Sequence, residues 1–483
     1  MSRRRRIRAV SGPVAVAISL AASVLHAQAP PAPEQPWSIP EAAIQRAASL
    51  QADSSPWIPK PYDLPGLIDL AQRSNAETRV AWEAARAAAA EVGLAESAYL
   101  PQLSMEALGG FEQTPLPVPE NLVRKGYFIS DSREIIPSLA LKWLLFDFGR
   151  RDANLAAARA DSFVANAGFT AVHHKLVLDV SQAYFALGAA RGRLRAAQKS
   201  LATAQTVETA TSAKRERGLA TVVALHQAQR QSAQARYAVA AAEGAARTAL
   251  ADLIAAVGIP AATPLEVVDG SPLTLPGTPQ ESIAATVNAA LAHRPDIIAA
   301  LGSVDAAQAS LKAAERAYRP SIGFSASVFQ NIGSLSSDGG PTSSVDRTGE
   351  TFLLSFSLPI YDGGERADHI SIARARLRES QANLELTRDG VAQQVVRAYD
   401  ELLTGLAEYD AAEALRQAAN TSYSAALSSY QQGVGTYTDL ATEENAVADA
   451  ERQVEDAHAA AHSAAAALAF AVGRSANPNG QNP

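Results

Sequence analysis

Four stretches of the chain alternate apolar residues with small or polar ones. In SIGFSASVF, Ile322, Phe324, Ala326 and Val328 fall on one face, and Ser321, Gly323, Ser325 and Ser327 on the other. In FLLSFSLPI, Phe352, Leu354, Phe356, Leu358 and Ile360 share a side. Leu103, Met105 and Ala107 oppose Gln102, Ser104 and Glu106, while Leu139, Leu141, Trp143 and Leu145 oppose Ser138 and Lys142. Successive side chains of a strand point to opposite faces, so this pattern predicts strands over 101–113, 137–147, 320–330 and 351–361. Elsewhere the period changes. Residues 151–217 and 366–432 contain no proline and are rich in Ala, Gln, Arg and Glu. Their apolar positions recur at spacings of three and four: Val180, Tyr184, Leu187 and Leu194 in one, Val395, Tyr399, Leu402, Leu406 and Tyr409 in the other. That predicts two long helices with coiled-coil seams, and the abundant Ala predicts close helix approach. Further helices are predicted over 76–99, 221–256, 295–318 and 436–471, with Asn75 as an N-cap and Pro295 in a first helical turn.

The same order of elements occurs twice. Gly149 and Gly364 lie 215 residues apart, as do Tyr184 and Tyr399, Gly218 and Gly433, and Gly258 and Gly473. Glu77, Tyr99 and Pro101 match Asp296, Tyr318 and Pro320 at an offset of 219, so a length difference of four lies between these landmarks. The chain is an internal tandem repeat: one copy over 66–258, a second over 281–473, and a Pro/Gly-rich linker over 259–280. Helix length constrains the packing. A 67-residue helix is about 100 Å long, and helices of about 36 and 24 residues end to end give roughly 90 Å, so one long helix can lie beside two short ones. Such columns have no compact core and must bury their stripes against other columns, their own or a neighbour's.

Composition sets the compartment. The first 29 residues combine Arg3 to Arg6, an apolar run from Val14 to Leu25, and small residues at Ala27 and Ala29, and are expected to be an export signal cleaved after one of those alanines. Residues 30–65 are Pro-rich and expected to run extended along the helices; 474–483 are expected to be a disordered tail. The chain has no cysteine, which excludes disulfides, Cys-ligated metal and a lipidated N-terminal Cys. Its net charge is −7, with no basic run after Arg6, which argues against a nucleic-acid partner.

Little in the sequence points to catalysis. LFDFGRR (145–151) and IYDGGER (360–366) lack the spacing of a nucleotide-binding loop. They read as strand-to-helix corners, in which Gly149, Gly363 and Gly364 allow the bend and Asp147 and Asp362 cap the helix. His458 and His462 are four apart, but Ala459 stands where a zinc peptidase needs Glu. No metal site, cofactor or enzymatic activity is expected.

Ten-residue strands with one apolar face suit a membrane barrel with lipid outside and water inside; a half-buried soluble sheet is the alternative. Four strands cannot close a barrel, so several chains must contribute. At this point the residues resemble the TolC-like outer-membrane efflux protein family, over about 62–473. The motifs that carry the resemblance are YLPQL and YRPSI before the first strand of each copy, LFDFGRR and IYDGGER after the second, HRPDI opening the second copy, and the turns RGLAT and QGVGT. The resemblance implies a mixed α+β membrane protein: a homotrimer whose 12-stranded β-barrel in outer-membrane lipid continues into an α-helical periplasmic tunnel. It implies an exit duct of a tripartite efflux or type I secretion system, partnered by a periplasmic adaptor and an inner-membrane pump. The adaptor-facing turns would be Gly218, Leu219, Ala220 and Thr221 with Gly433, Val434, Gly435 and Thr436. Asp439 and Glu443 would ring the closed aperture; where relatives often have a second acid, this chain has Thr442, followed by Glu443 and Glu444. From another class, a periplasmic coiled-coil scaffold or adaptor outside the membrane fits the helices alone.

Overall fold

The computed structural model describes residues 41–48, 60–119, 121, 124–268, 274–338 and 340–474. The segment read as an export signal and residues 475–483 of the tail lie outside them. The chain divides into two units, Met1–Trp57 and Ile58–Pro483. In the first, the described element is a helix, α1 (Glu41–Ala48). This departs from the extended reading of 30–65: EAAIQRAA lacks proline and carries four alanines, so the helix is locally favoured.

The second unit runs β1 (Pro61–Tyr62), α2 (Leu64–Ser74), α3 (Ala76–Ser97), β2 (Gln102–Pro117), β3 (Tyr127–Phe146), α4 (Arg150–Glu216) and α5 (Val222–Val257). Then follow β4 (Glu266–Val267), α6 (Ile283–His293), α7 (Pro295–Arg316), β5 (Ser321–Ser337), β6 (Ser343–Ser357), α8 (Glu365–Gln432) and α9 (Tyr437–Val472). The helices of the two copies keep the offsets read from the sequence. The difference of four residues sits in the hairpin tips, 118–126 in one copy and 338–342 in the other.

Two differences from the sequence reading have clear causes. The strands run 15 to 20 residues rather than about ten. Their outer parts, such as SDSRE at 130–134, have no apolar face, so polarity made them look like loop although β3 and β5 pair from Ser130 to Phe146. The short helices α2 and α6 precede α3 and α7 across a single non-helical residue, Asn75 or Arg294. Asp63 and Ser282 cap them, accepting from Gly66 N at 2.9 Å and Ala285 N at 3.3 Å.

α4 packs against α2, α3, α5, α7 and α9, whereas α8 packs against α6, α7 and α9. Each long helix therefore lies beside shorter ones stacked along it. The midpoint holds a buried core: Leu67, Leu253 and Val257 are fully buried, as are Val391, Val395 and Ala290 in the second copy. Gly258, at φ +79°, brings α5 so close to α3 that a Cβ would lie 2.7 Å from the Asn75 Cα. The linker is anchored there too: β1 and β4 pair in parallel, and Arg191 donates to the Val267 carbonyl at 3.0 Å. Among the described residues no helix is long and apolar enough to cross a membrane, which says nothing of strands.

Candidate functional site

Two regions carry the candidate function, the strand sheet and the far end of the helices. The sheet is antiparallel in the order β2-β3-β5-β6, so the two copies join at β3–β5. Directly opposed residues share a face. Leu103 pairs with Leu141 and Met105 with Leu139; Leu141 meets Ala326, Trp143 meets Phe324, and Phe324 meets Leu354. One apolar face thus runs across all four strands, with Met105 at 79% and Leu354 at 72% exposure. The opposite face matches Gln102 with Lys142, Lys142 with Ser325, and Gly323 with Ser355. From Trp143 to Ile135 the apolar band covers about 27 Å of strand. Among the described residues, β2 and β6 have no strand on their outer sides.

The corners turn these strands into helices. Gly149 and Gly364 take φ of +87° and +100°, a region L side chains avoid. Asp147 accepts from Gly149 N at 3.2 Å and Arg151 N at 2.8 Å; Asp362 accepts from Gly364 N and Arg366 N, both at 3.1 Å. Gly363, at φ +69°, completes the second bend. The first corner is the tighter one, because Arg151 is folded back onto the carbonyls of Leu144 and Leu145 and Arg316 of α7 donates to the Gly149 carbonyl.

At the other end both helix pairs reverse. Gly218 N donates to Arg215 O and Leu219 N to Lys214 O, and Ala220 leads to Thr221, which caps α5 by accepting from Ala224 N at 3.1 Å. In the second turn Gly433 ends α8, and the amides of Val434 and Gly435 both donate to Ser429 O at 3.0 Å. Thr436 and Asp439 form a reciprocal capping box: Asp439 N donates to Thr436 Oγ1 at 3.1 Å, and Thr436 N and Oγ1 donate to Asp439 Oδ2 at 3.2 and 2.7 Å. Leu219 and Val434 stand 74% and 81% exposed at the tips. The turns lie together, since Tyr430 meets Thr211 Oγ1 through its hydroxyl at 3.0 Å and Val207, Ala228, Tyr437 and Leu440 share one buried cluster.

The acids after the second turn have different surroundings. Asp439 is exposed and engaged in the cap, and Glu443 is half-buried. Glu444 is buried, 4% exposed, and among the described residues neither carboxylate oxygen has a hydrogen-bond partner. Burial pushes its carboxyl up to about 7. The Tyr437 phenol is pushed up to about 12, first by burial and then by Glu444. Sequence reasoning passed over Glu444 in favour of its neighbours. The signal was its phase: Tyr437, Leu440, Glu444, Val447 and Glu451 recur at three and four and form one seam.

His458 and His462 stack edge to face at 4.6 Å, and His462 lies on Phe185 at 5.1 Å, which makes them part of the helix packing. Among the described residues no three His, Cys, Asp or Glu are grouped to hold a metal.

The profile of the outer membrane efflux protein family matches residues 67–259 and 286–474, both copies of the repeat. Protein CyaE of Bordetella pertussis is 29% identical over 346 residues, 71% of this chain and 70% of its own length. The cation efflux system protein CusC of Escherichia coli K12 is 28% identical over 362 residues, 74% and 72% of the two chains. The crystal structure of the open state of the Neisseria gonorrhoeae MtrE outer membrane channel matches the fold with a TM-score of 0.71 at 24% identity, covering 87% of this chain and 91% of that one. With its fold shared and both repeats spanned by the profile, this chain belongs to the outer membrane efflux protein family.

Proposed function

We propose that the chain assembles into a passive exit duct across the outer membrane, a β-barrel that continues as a helical tunnel into the periplasm. The single observation that carries this reading is the apolar face shared by four strands whose outer two edges are open. In lipid an open edge leaves backbone N–H and C=O groups without partners, at several kcal/mol each, so the edges of neighbouring chains must pair. Three chains supply twelve strands, enough for a wide bore, and the polar face of the sheet then lines a wet interior.

The helices serve the same ring. Their turns, Gly218–Thr221 and Gly433–Thr436, present exposed Leu219 and Val434 as small apolar tips for a periplasmic adaptor, through which an inner-membrane pump supplies the energy. Asp439, one turn above the tip, is exposed and anionic near the α9 N-terminus, and is the acid we assign to the aperture, with Glu443 beside it. The corners set the angle between barrel and tunnel. No bond chemistry is needed for this work, and the duct acts by its shape and its lining.

Heat-modifiable migration in detergent and ion conductance in planar bilayers are expected of the purified protein. A mature chain that is fully soluble and monomeric without detergent would remove the duct and leave the periplasmic scaffold.

A further inference from the structure

Glu444 is the acid of the seam that has neither a task in the duct reading nor an ion-pair partner among the described residues. It projects from α9 into a cavity of about 70 Å³ lined also by Ser200 and Thr203 of α4 and Asn420 and Tyr423 of α8. The cavity lies on the contact between the two helix pairs, one turn above the cluster of Val207, Ala228, Tyr437 and Leu440. Leu440, the preceding residue of the seam, is fully buried, so the site is built as core and occupied by an acid. A buried carboxylate without partners is costly, whereas the neutral acid is far less so.

The surrounding charges do not relieve it. From α4, Lys199 lines the cavity but is paired with Glu451 of α9, on the same seam as Glu444. From α8, Tyr423 is held protonated by burial and by Glu444 itself. On α9, Tyr437 is the other neighbour, and Arg230 of α5 and Glu208 of α4 act on its phenol with opposite sign. No ion pair to Glu444 exists among the described residues, and both its oxygens lack hydrogen bonds.

We infer that Glu444 is a proton-operated latch: in its neutral form it lets α9 seat on α4 and α8, and in its ionised form it draws water into the cavity and loosens the two helix pairs. The direction follows from linkage. The carboxyl rises from 4.5 to about 7 in the packed arrangement, so its support for that arrangement is full below about pH 4.5 and is lost as pH rises through 7. If the chain is the duct proposed above, on which this last step rests, acid holds its helical end shut and neutral pH frees it for opening.

Two readouts test the latch whether or not the protein conducts. In the full-length oligomer, infrared difference spectra between pH 5 and pH 8 are expected to show a protonated carboxyl lost in wild type and missing from Glu444→Gln. Amide exchange of peptides covering 199–211 and 437–451 should match between wild type and Glu444→Gln at pH 5. At pH 8 wild type is expected to exchange at least about tenfold faster, the factor of one pKa unit. Glu444→Met, similar in volume and apolar, should behave as Gln does. Wild type and both variants tracking one another from pH 5 to pH 8 would overturn the latch, as would wild type alone showing no buried carboxyl that titrates there. In bilayers, conductance should rise with pH in wild type and stay low and flat in Glu444→Gln; a rise in both variants equal to wild type also counts against it.

Discussion

The two long helices have nearly the same length and the same place in their repeats, yet they meet different surroundings. α4 buries thirteen residues and α8 only seven, because α4 is flanked by helices of both copies whereas, among the described residues, α8 meets helices of its own copy and one of its sides is bare. The side chains follow the difference. At exposed positions α8 carries Ile372, Leu386, Val396, Leu403 and Leu415. At the matching positions, 215 residues earlier, α4 carries Ala157, Ala171, Ser181, Gly188 and Ser200. α3 and α5 expose Trp82, Leu94 and Tyr237. The corners repeat the lesson, since Arg316 clamps Gly149 whereas a Cβ at Gly364 would meet nothing within 4 Å. The β3–β5 junction likewise has a counterpart only in the unpaired β6 and β2 edges. In the duct proposed above, the second-copy edge of one chain would meet the first-copy edge of a neighbour.

The strongest way to break this comparison is to charge the bare face. Val396→Glu with Leu403→Glu is expected to abolish the heat-resistant oligomer on gels, because unpaired charges at a closed interface cost several kcal/mol each, while Gly188→Glu on α4 leaves it intact. Next come positions where the copies agree. Leu187 and Leu402 are 2% and 3% exposed, so Leu187→Ala and Leu402→Ala should each cost about 2–5 kcal/mol in denaturant unfolding. A weaker contrast lies in the turns: Thr436→Ala removes a reciprocal cap and should cost about 1 kcal/mol, read as faster amide exchange at the start of α9, with less effect from Thr221→Ala, which has a single capping bond. The smallest effect concerns the aperture. Asp439→Ala should weaken block by divalent cations severalfold, and Thr436→Ala, which loses the cap but keeps the charge, should not; equal block in Asp439→Ala and wild type would take Asp439 out of that role.

Much of the architecture was legible because it is periodic. Proline-free alanine-rich runs set the long helices, and matched glycines and tyrosines exposed the duplication. The lengths of the strands were not legible, because alternation is visible only where one face meets an apolar medium; past Ile135 the partners are Arg133 and Glu134, which look like loop. α2 was missed since its eleven residues include Pro65 and Gly66, both in its first turn, where proline is tolerated. Asp439 is legible as an acid near a helix start, but its reciprocal cap with Thr436 depends on the fold of the turn. Glu444 was hidden by the rule that a charge on a helix faces water, although its seam position with Leu440 was already in the sequence.

The most direct test concerns the two faces of β5. The chain has no cysteine, so Phe324→Cys and Ser325→Cys each give a single attachment point for a spin label in the outer-membrane protein. The label at 324 is expected to relax with lipid-soluble oxygen and the label at 325 with a water-soluble paramagnet. Equal exposure of both to the aqueous reagent, in a protein that stays monomeric, would contradict the account.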